Sequence, residues 1–503
     1  MISLIAKIVA HFRVNKIKKT YTKATKIQKD ILHRLVKKAM RTKFGKDHGF
    51  KKISNYDNFK EKVPIRDYES FKHYINDIQK GQENILWPGK PKYLAKTSGT
   101  TSGVKLIPIT KESLPFHINS SRDAILFYIK QTGDSGFLNG KNIFIQGSPV
   151  LKQLNGIFIG RLSGIVAHHV PKYLQARNLP TMKTNSIDDW ESKIDAICEE
   201  TCDKDLRVIG GIPSWVQMYL ERLLHNKKEK KVINLFKNLS LFVYGGVNFE
   251  PYKRIFLKLI GRKINTIEYY PASEGFFAYQ NDQNDSSLLL QYNSEIFYEF
   301  VEVDQIEKKH PNRLNLSQVV LNKNYVMIIS SNAGLWAYNT GDTVMFKSIN
   351  PPKIIVTGRY KHYISAFGEH VISSEVEQSI KFAIAKTKLV VKEFTVAPMI
   401  DVSKPDLPHH EWWIEFDKGT NPSDKFAEIV DSEMKNQNIY YKDLVDGKVL
   451  QPLKVVNVPT GSFKKYMKSL GKLGGQNKVP RLSNNRDFVT GLNKYIKKTE
   501  SKN

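Results

Sequence analysis

The residues best suited to chemistry lie together in the segment Thr97-Ser-Gly-Thr-Thr-Ser-Gly-Val-Lys105, whose first seven residues are all Thr, Ser or Gly. Glycines let the backbone approach an anion closely, and hydroxyl and backbone N–H groups hydrogen-bond phosphate oxygens. The spacing Gly-x-x-x-Gly-x-Lys differs from the Walker A pattern, and no helix is predicted directly behind it. We interpret residues 97–105, which we call the hydroxyl loop, as a phosphate-binding loop; the alternative is an ordinary Ser/Thr/Gly turn between two strands.

Three later segments also carry groups that suit phosphate chemistry. They are YPASEG at 270–275, YNTGD at 338–342 and QNKVPR at 476–481, and they supply Glu274, Asp342 and Lys478. Each residue has a plain alternative, because a glutamate can cap a helix, an aspartate can belong to a turn and a lysine in a basic tail can simply be solvated. None of these motifs identifies a function alone.

Two repeats of strand followed by helix are predicted to position these groups. Residues 240–246 (SLFVYGG) are typical of a buried strand, the helix behind them ends at Gly261, and residues 264–270 (INTIEYY) form a second strand. Residues 206–224 repeat the pattern, with Pro213 at the start of the helix. Strand, helix and strand with short joints predict a parallel sheet with sites at the carboxyl ends of its strands.

The pattern changes after about residue 285. Short strands rich in β-branched and aromatic residues follow, which predict a meander or a small barrel. A capping box of Ser374 and Glu377 then opens a predicted helix. Strands at 388–396 and 411–416, with a helix near 423–436, indicate a separate α/β unit.

The domain boundary is expected at the turn around Gly358 and Arg359. We therefore predict an α/β fold with a large N-terminal domain, residues 1–357, that contains doubly wound parallel sheets and a small β-barrel-like part. A smaller, mobile α/β C-terminal domain, residues 358–503, follows the boundary.

Composition excludes several classes of protein. The chain has 503 residues, 41% of them hydrophobic, which is ordinary for globular domains and unlike disordered or collagen-like sequences. Cys198 and Cys202 are its two cysteines, too few for a disulfide framework or a four-cysteine zinc site. They are typical of ordinary helix residues in a reducing compartment, and we expect a cytoplasmic monomer.

The net charge of +29 is concentrated at the two ends of the chain, with +14 in residues 1–52 and +10 in residues 454–503. Basic arms of this kind bind nucleic acid in some proteins, but no recognisable nucleic-acid-binding motif accompanies them here. We expect solvated lysine faces and no specific nucleic-acid partner.

The N-terminal segment is predicted to form an amphipathic helix. Apolar residues recur at helical spacing (Ile2, Ile5, Ile8, Val9, Phe12), but Lys7 interrupts them and no small-residue cleavage site follows, which argues against a signal peptide. No apolar run reaches the roughly 18 to 20 residues that a membrane-spanning helix needs. We expect this helix to pack on the domain, and peripheral membrane contact through the basic N-terminus is the open alternative.

Taken in order, the motifs resemble a known family. TSGTTSGVK resembles the first signature of the adenylate-forming superfamily, which includes acyl-CoA synthetases. The three later motifs, together with VPIRDYESFKHYI at 63–75 and GQENILWPGKP at 81–91, are similar to the Gretchen Hagen family of acyl acid amido synthetases, best known as plant hormone-conjugating enzymes. The resemblance runs from about residue 28 to about residue 482.

The resemblance implies a two-step reaction that uses ATP and Mg²⁺. A carboxylate oxygen of a small acid attacks the α-phosphorus of ATP, pyrophosphate leaves, and an amine, expected to be an amino acid, opens the acyl-adenylate. The acyl pocket is expected from apolar side chains at about 112–130 and 213–218. There are two alternatives. The protein is an acyl-CoA synthetase that transfers the acyl group to coenzyme A, or it is a non-catalytic, surface-binding relative of these enzymes.

The resemblance also assigns roles to residues. Glu274 would ligate magnesium, Asp342 would accept hydrogen bonds from the ribose hydroxyls, and Tyr270 is a candidate stacking ring. Lys478 would reach the phosphates when the C-terminal domain rotates about a hinge at Arg359. The nucleotide-binding residues that it implies are Ser98, Gly99, Thr100, Thr101, Ser102, Gly103, Gly245, Gly246, Tyr270, Ser273 and Asp342. Residues 368–371 (GEHV) depart from plant members, which commonly place a lysine there.

Overall fold

The computed structural model of the protein describes most of the chain. The described residues are 2–100, 103–170, 175–246, 249, 252–360, 363–364, 366–369, 371–400, 407–417, 424–470, 479–483 and 485–500.

The helices of the described residues begin and end as follows: α1 Ile2–Lys18, α2 Ala24–Ala39, α3 Lys43–Asp47, α4 Tyr56–Lys62, α5 Tyr68–Gln79, α6 Leu114–Thr132, α7 Leu162–Ala167, α8 Met182–Asn185, α9 Trp190–Thr201, α10 Pro213–Lys227, α11 Val232–Leu235, α12 Lys253–Ile260, α13 Ser373–Thr387, α14 Asp424–Gln437, α15 Ile439–Asp446, α16 Ser462–Ser469 and α17 Asp487–Glu500.

The strands are β1 Tyr93–Thr100, β2 Gly103–Ile109, β3 Lys141–Ile145, β4 Lys152–Leu154, β5 Ile157–Arg161, β6 Asn178–Leu179, β7 Leu206–Gly211, β8 Leu241–Gly245, β9 Asn265–Ala272, β10 Gly275–Gln280, β11 Leu288–Leu290, β12 Ile296–Glu302, β13 Leu314–Asn315, β14 Asn324–Ser331, β15 Tyr338–Ile349, β16 Pro352–Arg359, β17 Tyr363–Ile364, β18 Val371–Ile372, β19 Val391–Met399, β20 His409–Phe416 and β21 Lys454–Asn457.

One twelve-stranded sheet organises the larger part of the protein, in the order β13-β12-β14-β15-β16-β11-β10-β9-β8-β7-β3-β6. Strands β6, β3, β7, β8 and β9 pair in parallel, as the repeats of strand and helix predict. The strands from β10 to β16 pair antiparallel with their neighbours. They form the predicted meander, but they extend the parallel sheet instead of closing into a barrel-like part of their own.

Both faces of the parallel half are buried. Along β8, Leu241 and Val243 belong to one hydrophobic core, and Phe242 and Tyr244 belong to another. Successive side chains of a strand point to opposite faces, so helices must cover the sheet on both sides. The doubly wound arrangement is therefore confirmed, and α10 begins at Pro213 as predicted.

A smaller unit follows β16. Strands β19, β20 and β21 form a three-stranded sheet. Trp412 and Ile414 of β20 pack in one core with residues of α13 and α14, and Trp413 packs in a second core with residues of α16 and α17. The predicted capping-box helix, the two strands and the helix near 423–436 are all present.

The predicted N-terminal helix is present as α1 and packs on the domain as expected, but the large apolar residues at helical spacing are not the ones that are buried. Ala10 and Val14 are buried, and α1 packs on α6. Ile5, Ile8 and Phe12 are exposed. The small side chain of Ala10 allows the two helices to approach closely, which leaves the larger residues on the outer face. No helix among the described residues is long and apolar enough to cross a bilayer.

Candidate active site

The carboxyl edge of the parallel strands carries the predicted glycine pair. Gly245 ends β8 and pairs with Tyr269 of β9. A Cβ atom at Gly245 would lie 2.5 Å from the carbonyl oxygen of Tyr269, so the two strands approach too closely for any other residue. Gly246 follows at the same edge, within reach of Ile212 at the end of β7. Open α/β sheets bind ligands at this edge, which supports the predicted place of the nucleotide.

The YPASEG and YNTGD motifs form two reciprocal hydrogen bonds. The Tyr270 hydroxyl donates to Oδ2 of Asp342 at 2.6 Å. The Tyr338 hydroxyl donates to Oε1 of Glu274 at 3.4 Å. Each motif therefore supplies a tyrosine to the acid of the other, and we call this arrangement the tyrosine–acid clasp. It brings together the two carboxylates that the sequence singles out, although more than sixty residues separate the motifs in the chain.

The clasp residues sit on rigid elements. Tyr270 is buried on β9, and its ring lies edge-to-face with Phe277 at 5.2 Å. Asp342 is buried on β15, and its N–H donates to the Thr340 hydroxyl. Ser273 and Glu274 occupy the half-buried turn between β9 and β10. The Tyr270 hydroxyl thus orients Asp342, a role that the sequence did not suggest beside that of a stacking ring.

The hydroxyl loop is the tip of a β-hairpin. β1 and β2 pair antiparallel as far as Thr100 and Gly103, so the flanking strands reach further into the loop than predicted. Thr101 and Ser102 lie outside the described residues, and the structure describes only the backbone of Ser98, Gly99 and Thr100.

Helix α5 connects this hairpin to the clasp. Its Tyr68 hydroxyl accepts a hydrogen bond from the N–H of Leu106 in β2, and the Lys105 ammonium group lies 5.8 Å from the Tyr68 ring centroid. One turn later, Phe71 packs against Tyr338 with ring centroids 5.7 Å apart. The aromatic residues of α5 therefore couple the position of the loop to that of Glu274.

The predicted hinge lies directly beside the clasp. Arg359 is the last residue of β16 and pairs with Asp342 of β15. Gly358 has φ +136°, a conformation that side-chain-bearing residues rarely adopt, and no atom lies within 4 Å of the place a Cβ would take. A rotation of the C-terminal domain about this hinge would begin at Arg359, the residue paired with Asp342, which is the predicted ligand of the ribose. The Arg359 side chain and Lys478 lie outside the described part of the chain.

The glutamate of the GEHV segment, Glu369, has a structural role. Glu369 is fully buried, accepts a hydrogen bond from the N–H of Phe367 and has an oxygen 2.8 Å from Nε2 of His410. Gly368 lies beside Ile212 at the edge of the parallel strands. The segment therefore connects the smaller unit to the site through its backbone.

Contacts between the two units involve residues that sequence reasoning missed. The Arg161 guanidinium group, at the end of β5, forms an ion pair with Asp443 at 2.7 Å. Trp190 and Trp215 pack with ring centroids 4.9 Å apart against the core of the smaller unit. Trp215 belongs to the segment 213–218 from which the acyl pocket is expected, and it also packs at the interface between the units. Nothing in the local sequence pattern signals such long-range contacts.

Helix α6 covers most of the other segment, at about 112–130, from which the acyl pocket is expected. It packs beneath β9 and β10, and the Tyr269 hydroxyl donates to the carbonyl oxygen of Ser121. His117 of α6 is buried, and its Nδ1 has no hydrogen-bond partner among the described residues. Burial lowers the pKa of His117 to about 4, because the charged imidazolium loses its hydration.

This histidine should make stability depend on pH. Between pH 6.5 and about 4 the unfolded chain binds a proton at His117 and the folded protein does not, so the free energy of unfolding should fall as the pH is lowered through this window. The full effect is about 3 kcal/mol. Urea unfolding at a series of pH values should show that His117→Leu reduces this dependence. An unchanged dependence in the variant would contradict the assignment.

The fold belongs to a recognised class of enzyme structures. It is similar to two solved structures of the GH3.15 acyl acid amido synthetase, one of them in complex with 2,4-DB. The TM-scores are 0.61 and 0.60, at 18% and 17% identity, and the matches cover 97% and 95% of both chains.

Family models match most of the chain. Residues 13–264 match the GH3 family N-terminal domain, residues 289–359 the GH3 family central domain and residues 374–487 the GH3 family C-terminal domain. The chain belongs to the GH3 family, which confirms the resemblance found in its motifs.

Two characterised relatives are distant in sequence. The chain is 22% identical to an indole-3-acetic acid-amido synthetase, GH3.15, of Arabidopsis thaliana, over 86% of each chain. It is 20% identical to a jasmonoyl-L-amino acid synthetase, JAR4, of Nicotiana attenuata, over 74% of this chain and 76% of the relative.

Proposed function

We propose that the protein is an acyl acid amido synthetase that adenylates a small carboxylic acid with ATP and transfers the acyl group to an amino acid. In the first step a carboxylate oxygen bonds to the α-phosphorus and pyrophosphate leaves. In the second, the amine nitrogen bonds to the acyl carbon and AMP leaves. The tyrosine–acid clasp is the observation that carries the proposal, because it fixes two carboxylates beside the edge where the nucleotide is expected.

Each group at the site has a role in this proposal. Asp342, held by Tyr270, accepts hydrogen bonds from the ribose hydroxyls. Gly245 and Gly246 allow the adenine to lie against the backbone, and Tyr270 and Ser273 border it. The hydroxyl loop, with Ser98, Gly99, Thr100, Thr101, Ser102 and Gly103, binds the phosphate oxygens. Positioned donors of this kind stabilise charge that develops at the phosphorus.

Glu274 is the proposed protein ligand of Mg²⁺. The described residues contain no cluster of three or more His, Cys, Asp or Glu side chains that could hold a metal ion by themselves. A single carboxylate such as Glu274 suits magnesium, which keeps waters and is usually bound by one or two carboxylates together with substrate phosphates. Bound there, the ion would neutralise phosphate charge, and Tyr338 would orient the carboxylate that holds it.

The proposal includes rotation of the C-terminal domain, residues 358–503, on the domain formed by residues 1–357. The central family match ends at residue 359 and the C-terminal match begins at 374, which supports a boundary between them. Lys478 would lie at the phosphates in only one of the two arrangements, and Arg359 would be part of the hinge.

We further propose a cytoplasmic monomer without a specific nucleic-acid partner. Cys198 and Cys202 are free thiols, as is usual for proteins of reducing compartments.

One experiment tests the function. We expect purified protein to release pyrophosphate from ATP only when a suitable carboxylic acid is added, and to form an amide when an amino acid is also present. Panels of acids and amino acids, with coenzyme A as a separate acceptor, would identify both substrates by mass spectrometry. Turnover with coenzyme A and none with any amine would contradict amide formation, and the absence of acid-dependent pyrophosphate release across the panel would contradict adenylation.

A further inference from the structure

The outer face of α1 is an unusual surface. Its side chains are large and apolar, and about half or more of each is exposed: Leu4 64%, Ile5 52%, Ile8 49%, Val9 46% and Phe12 70%. These positions follow helical spacing and therefore form one continuous patch. We call it the N-terminal apolar face. Large exposed apolar patches usually mark sites of interaction.

The opposite face of α1 is anchored to the protein. Arg13 forms two hydrogen bonds with the buried carboxylate of Asp123 on α6, at 2.9 and 2.6 Å. The Ser3 and Ser135 hydroxyl groups lie 2.6 Å apart, and Ala10 and Val14 are buried. Because both ends of the helix are held, the N-terminal apolar face cannot be buried by rolling the helix over. Its exposure is a property of the folded protein.

Basic residues surround this face. Lys7, Lys16, Lys18 and Lys19 are exposed, and α1 contains no acidic residue. The first 52 residues together carry a net charge of +14. Basic groups beside a patch of Leu, Ile and Phe are characteristic of helices that lie in the interface of an anionic bilayer.

We propose that the N-terminal apolar face binds the surface of an anionic membrane. The apolar side chains would enter the boundary between head groups and acyl chains, about 5–10 Å deep, and the lysines would contact lipid phosphates. A second copy of the chain fits less well, because two strongly basic segments would meet face to face. Nucleic acid fits less well too, because phosphate binding gives no role to Phe12 and Leu4. This inference does not depend on the proposed enzymatic activity.

Flotation with lipid vesicles tests the proposal. We expect the full chain to float with phosphatidylcholine vesicles that contain phosphatidylglycerol, and to float much less with phosphatidylcholine alone. The double variant Ile8→Asp/Phe12→Asp should lose at least about tenfold in partitioning, since two charges enter the apolar layer. Replacing Lys16, Lys18 and Lys19 with Gln should cost about fivefold per lysine and weaken the salt dependence.

The matched control is Leu257→Asp, at an equally exposed apolar residue on α12. It should bind vesicles as well as the unchanged chain. Thermal unfolding of each variant identifies any that fail to fold, and the lysine variants, which alter only exposed side chains, provide an independent test. Equal binding by the Ile8/Phe12 variant would overturn the proposal. So would a dimer in solution that this variant abolishes, because the face would then bind another copy.

Discussion

Glu274→Gln is expected to slow acid-dependent pyrophosphate release by at least about a hundredfold while the protein remains folded. The substitution preserves the shape of the side chain and an oxygen that can accept the Tyr338 hydrogen bond, but it removes the negative charge. A magnesium ligand without that charge loses several kcal/mol of electrostatic stabilisation, and a hundredfold loss corresponds to about 2.7 kcal/mol. The measurement is pyrophosphate release at saturating acid over a range of Mg²⁺ concentrations.

Two further variants make this result specific. Glu307→Gln, the same change at an exposed glutamate between β12 and β13, should behave like the unchanged protein. Tyr338→Phe keeps the carboxylate of Glu274 but removes the hydroxyl that donates to it, so we expect a loss of only several-fold. Near-normal adenylation by Glu274→Gln would place this glutamate outside the reaction.

Much of the fold could be predicted because the relevant signals are local. The short apolar run of β8 and the proline at the start of α10 each act over a few residues. The same is true of the motifs themselves. Their chemistry is in the residue types, and their order along the chain was enough to indicate the family that the comparisons confirm.

The features that could not be predicted depend on contacts between distant segments. The reciprocal pairing of Tyr270 with Asp342 and of Tyr338 with Glu274 requires the register of β9, β10 and β15 in one sheet. A strand pattern shows which residues are apolar, but it does not show which strand lies next to it. Because the order of the strands could not be predicted, the antiparallel strands were expected to form a separate barrel-like part, whereas they extend the parallel sheet.

Helix α1 shows a second limit of hydrophobic periodicity. The pattern identified Ile5, Ile8 and Phe12 as one apolar face, and an apolar face of this kind usually packs on the domain. The structure buries Ala10 and Val14, since small side chains permit a close approach to α6 and the Arg13–Asp123 pair fixes the rotation of the helix. Periodicity therefore gives the faces of a helix, and packing against a particular neighbour decides which of them is covered.

The largest remaining effect is expected for Lys478→Ala. If this lysine reaches the phosphates only while the adenylate forms, the variant should lose at least about a hundredfold in acid-dependent pyrophosphate release, because a positive charge near developing negative charge contributes a few kcal/mol. Supplied with preformed acyl-adenylate and amine, the same variant should form amide within a few-fold of the unchanged rate. Each half-reaction would be measured separately by rapid quench.

The unequal loss is the decisive result, because it separates a moving domain from a single closed site. Lys494→Ala, the same change at an exposed lysine on α17, should leave both half-reactions intact and so controls for the loss of charge in the basic C-terminal segment. Equal losses in both half-reactions would mean that Lys478 acts in one shared site or in folding. If neither half-reaction changed, Lys478 would be a solvated charge, and the lysine that completes the adenylating site would have to come from elsewhere in the chain.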